Sequence, residues 1–78
     1  MQIFLRLTTG KVYTMDVSED MNVEELKKEI YGKTGISGDK QKLLFMGKAL
    51  DGNKTLADYN IEKECTVFLI PILLGGHF

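Results

Sequence analysis

The sequence predicts one α+β domain, a mixed sheet packed on one main helix, and three observations carry that prediction. Hydrophobic residues alternate through the first 17 positions, take a helical spacing between 23 and 34, and then return to short apolar runs. At 78 residues the chain has no room for two independent cores joined by a linker. It is 44% hydrophobic and 27% charged with a single proline, a composition that folds rather than staying disordered.

Met1, Ile3, Leu5 and Leu7 share one parity, and Tyr13, Met15 and Val17 form a second alternating run. The polar connection Thr8-Thr9-Gly10-Lys11 between them predicts an antiparallel hairpin with a loop longer than the tightest turns. The period then changes: Val23, Leu26 and Ile30 fall at i, i+3 and i+7, the stripe of an amphipathic helix. Asn22 supplies an N-cap, Glu25 completes a capping box, and Lys33-Thr34-Gly35 gives a basic last turn followed by a left-handed C-cap, so the helix runs over 23–34. Residues 40–45 form a short strand that Gly47 ends before Lys48-Ala49-Leu50. Asp51-Gly52-Asn53-Lys54 is turn chemistry, Thr55 starts one helical turn through Tyr59, and Asn60 suits a left-handed backbone. Thr66 to Ile70 is rich in strand formers, and Pro71, with no N–H to donate, is expected to end pairing near Ile70.

One helix covers only one face of a sheet. If Val67 and Leu69 point into the core, Phe68 and Ile70 point the other way, and Leu44 joins them by its parity against Leu43 and Phe45. A contiguous exposed apolar patch of this kind marks a partner surface, unless the terminal tail or a second molecule covers it.

Ten Lys and Arg against eleven Asp and Glu argue against the cationic field of a nucleic-acid binder. Cys65 is the only cysteine, which excludes an internal disulfide and a cysteine-cluster zinc site and suits a reducing compartment, cytoplasmic or nuclear. No run has the length of a membrane span, and Met1-Gln2-Ile3-Phe4 lacks the order of a signal peptide. Gly32-Lys33-Thr34 ends a helix instead of opening one, so it is no phosphate loop, and Asn53-Lys54-Thr55 reads as a turn, not a glycosylation site. His77 lies twelve residues from Cys65 without companion metal ligands, and no nucleophile with a base can be assembled, so neither a cofactor nor an enzymatic activity is expected. Cys65 is read as a small, partly buried residue at a strand start, and Glu24, Glu25 and Glu29 as a solvated helix face on which Glu24 and Lys28 stand in the favourable i, i+4 order.

Met1-Gln2-Ile3-Phe4, Thr9-Gly10-Lys11, Gly35-Ile36, Gly47-Lys48, Thr55-Leu56, Asp58-Tyr59-Asn60-Ile61 and Gly75-Gly76 resemble the ubiquitin family in order and spacing, without a gap across residues 1–76. The resemblance implies a β-grasp (ubiquitin-like) domain over 1–72 and a flexible C-terminal tail over 73–78, with Gly-Gly and a two-residue extension. It also implies a family chemistry in which an activating enzyme adenylates the terminal glycine carboxylate and passes it on as a thioester for conjugation to a lysine amine. Gly75 and Gly76 suit this because a backbone without Cβ threads a narrow channel. His77 and Phe78 block the carboxylate until a processing protease cuts after Gly76.

The tail departs from the family. Pro71, Ile72, Leu73 and Leu74 stand where the family carries Leu-Arg-Leu-Arg, so an activating enzyme that reads an arginine should discriminate against it. Tail recognition then falls to Lys42, Ile72, Leu73 and Leu74, read by a dedicated or divergent activating enzyme and its conjugating enzyme. The family's recognition patch maps onto Thr8, Leu44, Gly47, Lys48, Phe68 and Ile70, with Phe68 replacing a histidine and Thr8 a leucine, so partners overlap only partly with ubiquitin receptors. Lys11, Lys27, Lys33, Lys48 and Lys63 stand at linkage positions, whereas Arg6 and Glu29 remove two others; ordinary solubility accounts for the lysines equally well. Tyr59 is expected to hydrogen-bond a backbone amide in the preceding loop. Two readings stay open: a covalent modifier, or a non-covalent binding domain that docks through the sheet patch. The chain is expected to be monomeric, with the apolar tail from Ile72 to Phe78 mobile or engaged in weak self-association.

Overall fold

A computed structural model describes residues 1–72. Five strands, one α-helix and two 3-10 turns follow one another: β1 (Gln2–Leu7), β2 (Val12–Asp16), α1 (Val23–Thr34), the turn Gly38–Lys40, β3 (Gln41–Phe45), β4 (Lys48–Ala49), the turn Ala57–Tyr59 and β5 (Thr66–Pro71). The strands lie in the order β2-β1-β5-β3-β4, with β5 parallel to β1 and antiparallel to β3. This mixed sheet on one main helix is the predicted α+β architecture.

Alternation decides the two faces. Ile3, Leu5, Met15, Leu43, Val67 and Leu69 are buried from the sheet side and meet Val23, Leu26 and Ile30 of α1, with Leu56 and Ile61 closing the open end. The helix runs over the predicted residues because both ends are fixed. The Asn22 side chain accepts from the Glu25 amide at 2.8 Å while the Glu25 carboxylate accepts from the Asn22 amide at 3.3 Å, and Gly35 caps the other end at φ 76. Glu24 and Lys28 form no ion pair within 4 Å, contrary to their favourable order; the Glu24 carboxylate instead lies over Gly52.

Pairing does not end near Ile70 as expected from Pro71. Gln41 stands opposite Pro71, and the Ile72 N–H donates to the Lys40 carbonyl at 2.7 Å. Antiparallel ladders alternate bonded and non-bonded pairs, so Lys40 with Ile72 is bonded and Gln41 with Pro71 is not. The missing N–H of Pro71 therefore points away from β3, toward the β1 side, where pairing has already stopped at Leu7 and Leu69. Ile72 is accordingly held by its own sheet. The expectation of a mobile or intermolecularly engaged tail therefore fails at Ile72, and for residues 73–78, including Leu73, Leu74, Gly75 and Gly76, it lies outside the described residues.

Candidate functional site: the uncovered sheet face

The face of the sheet away from α1 brings together three residues of the predicted patch, Leu44, Phe68 and Ile70. Phe68 stands directly opposite Leu44, and Ile70 opposite Lys42, so three apolar groups and a cation meet across the β3–β5 ladder. Phe68 is 46% exposed, while Leu44 and Ile70 are half-buried. The parity that places Val67 and Leu69 in the core aims Phe68 outward.

Two further residues belong here. Phe4, on the outward parity of β1, lies beside Thr66, and Arg6 lies beside Phe68 in the parallel register. The signal for both was the even parity of β1, but which strand neighbours β1 is a long-range fact that no local pattern carries. Val12, opposite Arg6, is exposed, so one row across the sheet runs Val12, Arg6, Phe68, Leu44 and Ala49. Arg6 and Lys42 leave cationic heads beside the apolar groups.

Thr8 sits in the exposed hairpin loop, which closes through the Gly10 N–H to the Leu7 carbonyl at 2.9 Å. Gly47 takes φ 79 in the β3–β4 turn, a conformation that favours glycine, and Met46 before it is left-handed as well, at φ 53. Lys48 is exposed and opposite Phe45. On the far side of this turn Phe45, Met46, Lys48, Tyr59 and Asn60 line a groove of about 470 Å³. Sequence reading missed this groove because Tyr59 and Asn60 reach it from another part of the chain. Tyr59 is anchored there: its phenol oxygen accepts the Asp51 N–H at 2.7 Å, the backbone bond expected of it.

The other predicted lysines are scattered. Lys11 holds its ammonium 5.0 Å from the Tyr13 ring centroid, Lys33 and Lys63 are exposed, and Lys27 is half-buried on α1. Lys27 also borders a shallow groove of about 270 Å³ with Glu24, Lys28, Tyr31, Ser37 and Gly38. The Lys27 backbone carbonyl accepts the Gln41 side-chain amide at 2.9 Å, and the Ile36 carbonyl accepts it at 2.8 Å. Gln41 is only 2% exposed, and its Oε1 has no partner among the described residues. This buried glutamine ties the helix, the following loop and β3 together.

Electrostatics away from the face is modest. Asp58 is held below the usual carboxylate range by the Thr55 backbone N–H, with the Thr55 hydroxyl and the Lys54 ammonium acting in the same sense. Cys65 is half-buried, and its sulfur accepts the Glu62 N–H at 3.3 Å, consistent with a residue that shapes a strand start. Among the described residues no cluster of three or more His, Cys, Asp or Glu is placed to hold a metal ion, and no helix is long and apolar enough to cross a membrane.

Comparison with known proteins bears on the whole domain. The Ubiquitin-like protein NEDD8 of Dictyostelium discoideum is 30% identical over 76 residues, covering 97% of this chain and 99% of that protein. The Ubiquitin-like protein 1 of Schizosaccharomyces pombe is 29% identical over 76 residues, 97% of each chain. The Ubiquitin-like protein 4A of Rattus norvegicus is 39% identical over 70 residues, which are 90% of this chain but 45% of that protein. The model of the ubiquitin family matches residues 3–71, and with the mixed sheet, the single helix and these relatives, the chain belongs to the ubiquitin family.

Proposed function

We propose that this protein is a ubiquitin-like modifier, processed after Gly76 and attached through that glycine to lysines of target proteins. The observation that carries the reading is Gly75-Gly76 on a ubiquitin-family domain, four residues beyond Pro71, the last residue of β5. End-to-end coverage of two ubiquitin-like relatives supports it, because the match is to their full length and not to a segment. On this reading the chain is not an enzyme. It is the substrate of a processing protease and of activating and conjugating enzymes in the cytoplasm or nucleus, and Lys42 with Ile72 presents the tail to them.

One observation favours a second reading, a domain that docks without conjugation. The chain spans under half of Ubiquitin-like protein 4A and 17% of the UV excision repair protein rhp23 of Schizosaccharomyces pombe, so similar domains occur within longer proteins. Leu44, Phe68 and Ile70 are the residues that would dock, on receptors resembling those of ubiquitin.

The experiment is expression of an amino-terminally tagged chain in its native cells, comparing wild type, Gly76→Ala and a stop after Gly76. A denaturation-resistant ladder from wild type and the stop form, abolished by Gly76→Ala, is the expected result. A single unconjugated band from all three rejects the modifier reading in those cells and leaves the docking face as the functional element.

A further inference from the structure

Helix α1 carries a second stripe besides the one that meets the core. Val23, Leu26 and Ile30 are buried, while Glu24, Lys27, Lys28 and Tyr31 follow at i, i+3, i+4 and i+7 on the side turned away from the sheet. Tyr31 is 55% exposed, a large ring left in water on an otherwise charged stripe. With Ser37 and Gly38 these residues line the groove of about 270 Å³. The Lys27 stem is held in it: its Cβ lies 3.7 Å from the place that a Cβ on Gly38 would take, which is why this lysine is half-buried. The charges at the groove do not balance. Glu24 turns its carboxylate over Gly52, the Asp39 carboxylate accepts the Ser37 hydroxyl at 2.7 Å, and among the described residues neither Lys27 nor Lys28 has a carboxylate within 4 Å. The chain as a whole has a net charge of -1, so the positive excess is local to this groove.

We propose that this groove docks an acidic segment of a partner protein in which one aromatic residue is flanked by Asp or Glu. The partner's ring stacks on Tyr31 and lies along the apolar stem of Lys27, and its carboxylates meet the Lys27 and Lys28 ammoniums at the rim. The size of the groove suits one aromatic side chain and not a whole helix, so the occupant is a short segment. Charge decides its sign: a cationic segment would set like charges against the two lysines, and a purely apolar one would leave them unpaired. The groove lies on the helix side of the domain, away from Leu44, Phe68 and Ile70, so the proposal does not rest on docking at the sheet face, and the two surfaces can be occupied at once.

The test is an amide NMR titration of the full chain with a blocked peptide, Glu-Asp-Phe-Glu-Asp, beside two controls in which the ring is replaced by alanine or the acids by lysines. Saturable shifts at Glu24, Lys27, Lys28, Tyr31, Ser37 and Gly38 are expected, with the alanine control weaker and the lysine control silent. The double variant Lys28→Glu, Tyr31→Ser changes two exposed side chains and should weaken binding at least about fivefold, whereas Tyr31→Phe should hold it within about twofold. Raising salt on the wild-type chain gives a reading that needs no variant, because the shifts should shrink as the rim charges are screened. No saturable shift up to about 5 mM peptide, or equal binding of the lysine control, would overturn the proposal. So would shifts centred on Arg6, Lys42 and Phe68, which would move the acidic segment to the sheet face. A response of the same groove residues to phosphatidylserine vesicles or to a polyuridine oligonucleotide, with none to the peptide, would reassign the groove to a membrane or to RNA.

Discussion

Single side chains hold the loops of this protein in place, and their contributions can be separated. Tyr59 accepts the Asp51 N–H through its hydroxyl, so Tyr59→Phe keeps the ring packing and removes only the acceptor. The expected cost is about 0.5–1.5 kcal/mol in urea unfolding, and an unchanged midpoint would mean that water replaces the phenol without penalty. Asp58 supplies a pH dependence of known sign. Its carboxyl is stabilised in the charged form by Thr55, so its folded pKa lies below its ordinary value of 3.8. The stabilisation is fully present above that ordinary value and is lost as pH falls through the lower folded pKa. Carbonyl-carbon NMR titration should therefore find Asp58 still ionised at a pH where an unstructured aspartate is half protonated. Thr55→Val, which removes the hydroxyl, should move the midpoint part of the way back. Gln41 shows what residue type alone conceals. Its parity is that of Leu43, which places it inside, yet only the fold reveals that two carbonyls, of Lys27 and Ile36, wait there for its amide.

At the scale of elements, the alternation of bonded and non-bonded pairs gives β5 two neighbouring positions of opposite tolerance. Pro71 occupies a non-bonded position against Gln41, so Pro71→Ala should cost no more than about 1 kcal/mol, most of it through the unfolded chain. Ile70 faces Lys42 at a bonded position, and Ile70→Pro should cost about 3 kcal/mol or more because it removes a ladder donor. Equal effects in chemical denaturation would show that the register is shifted. Where the sequence was legible, the information was local: Asn22, Glu25 and Gly35 mark both ends of α1 within a few residues, and alternation sorts Val67 and Leu69 from Phe68 and Ile70. Where it was not, the information lay between distant segments. A proline reads as a strand end by itself, and only the knowledge that β1 stops at Leu7 explains why β5 can continue past it. The groove beside Met46 was hidden for the same reason, since Phe45 and Tyr59 meet across fourteen positions of sequence.

Across the whole molecule, the core and the proposed docking patch occupy opposite sides of one sheet. Ile3, Leu5, Leu43, Val67 and Leu69 face α1, while Leu44, Phe68 and Ile70 face outward with Arg6 and Lys42 beside them. The double variant Leu44→Ala, Phe68→Ala should consequently cost less unfolding free energy than a fully buried core truncation, while removing the apolar centre of the proposed docking face. Leu56→Ala, at a position with no exposure, should cost about 2–5 kcal/mol and report only on the core. A double variant as unstable as Leu56→Ala would mean that the two sides are not independent. The strand order has one more consequence, for the time at which the structure can exist. The strand made last, β5, lies in the middle, between β1 and β3, so no strand pair joins the first hairpin to the β3–β4 pair until it arrives. A chain growing from the ribosome therefore carries a hairpin, a helix with its apolar stripe exposed and an orphan ribbon, and it closes into a domain only when Thr66 to Pro71 has emerged. A fragment ending at Cys65 should show no cooperative thermal transition. Until β5 emerges, the nascent domain is a client for whatever shelters apolar surface.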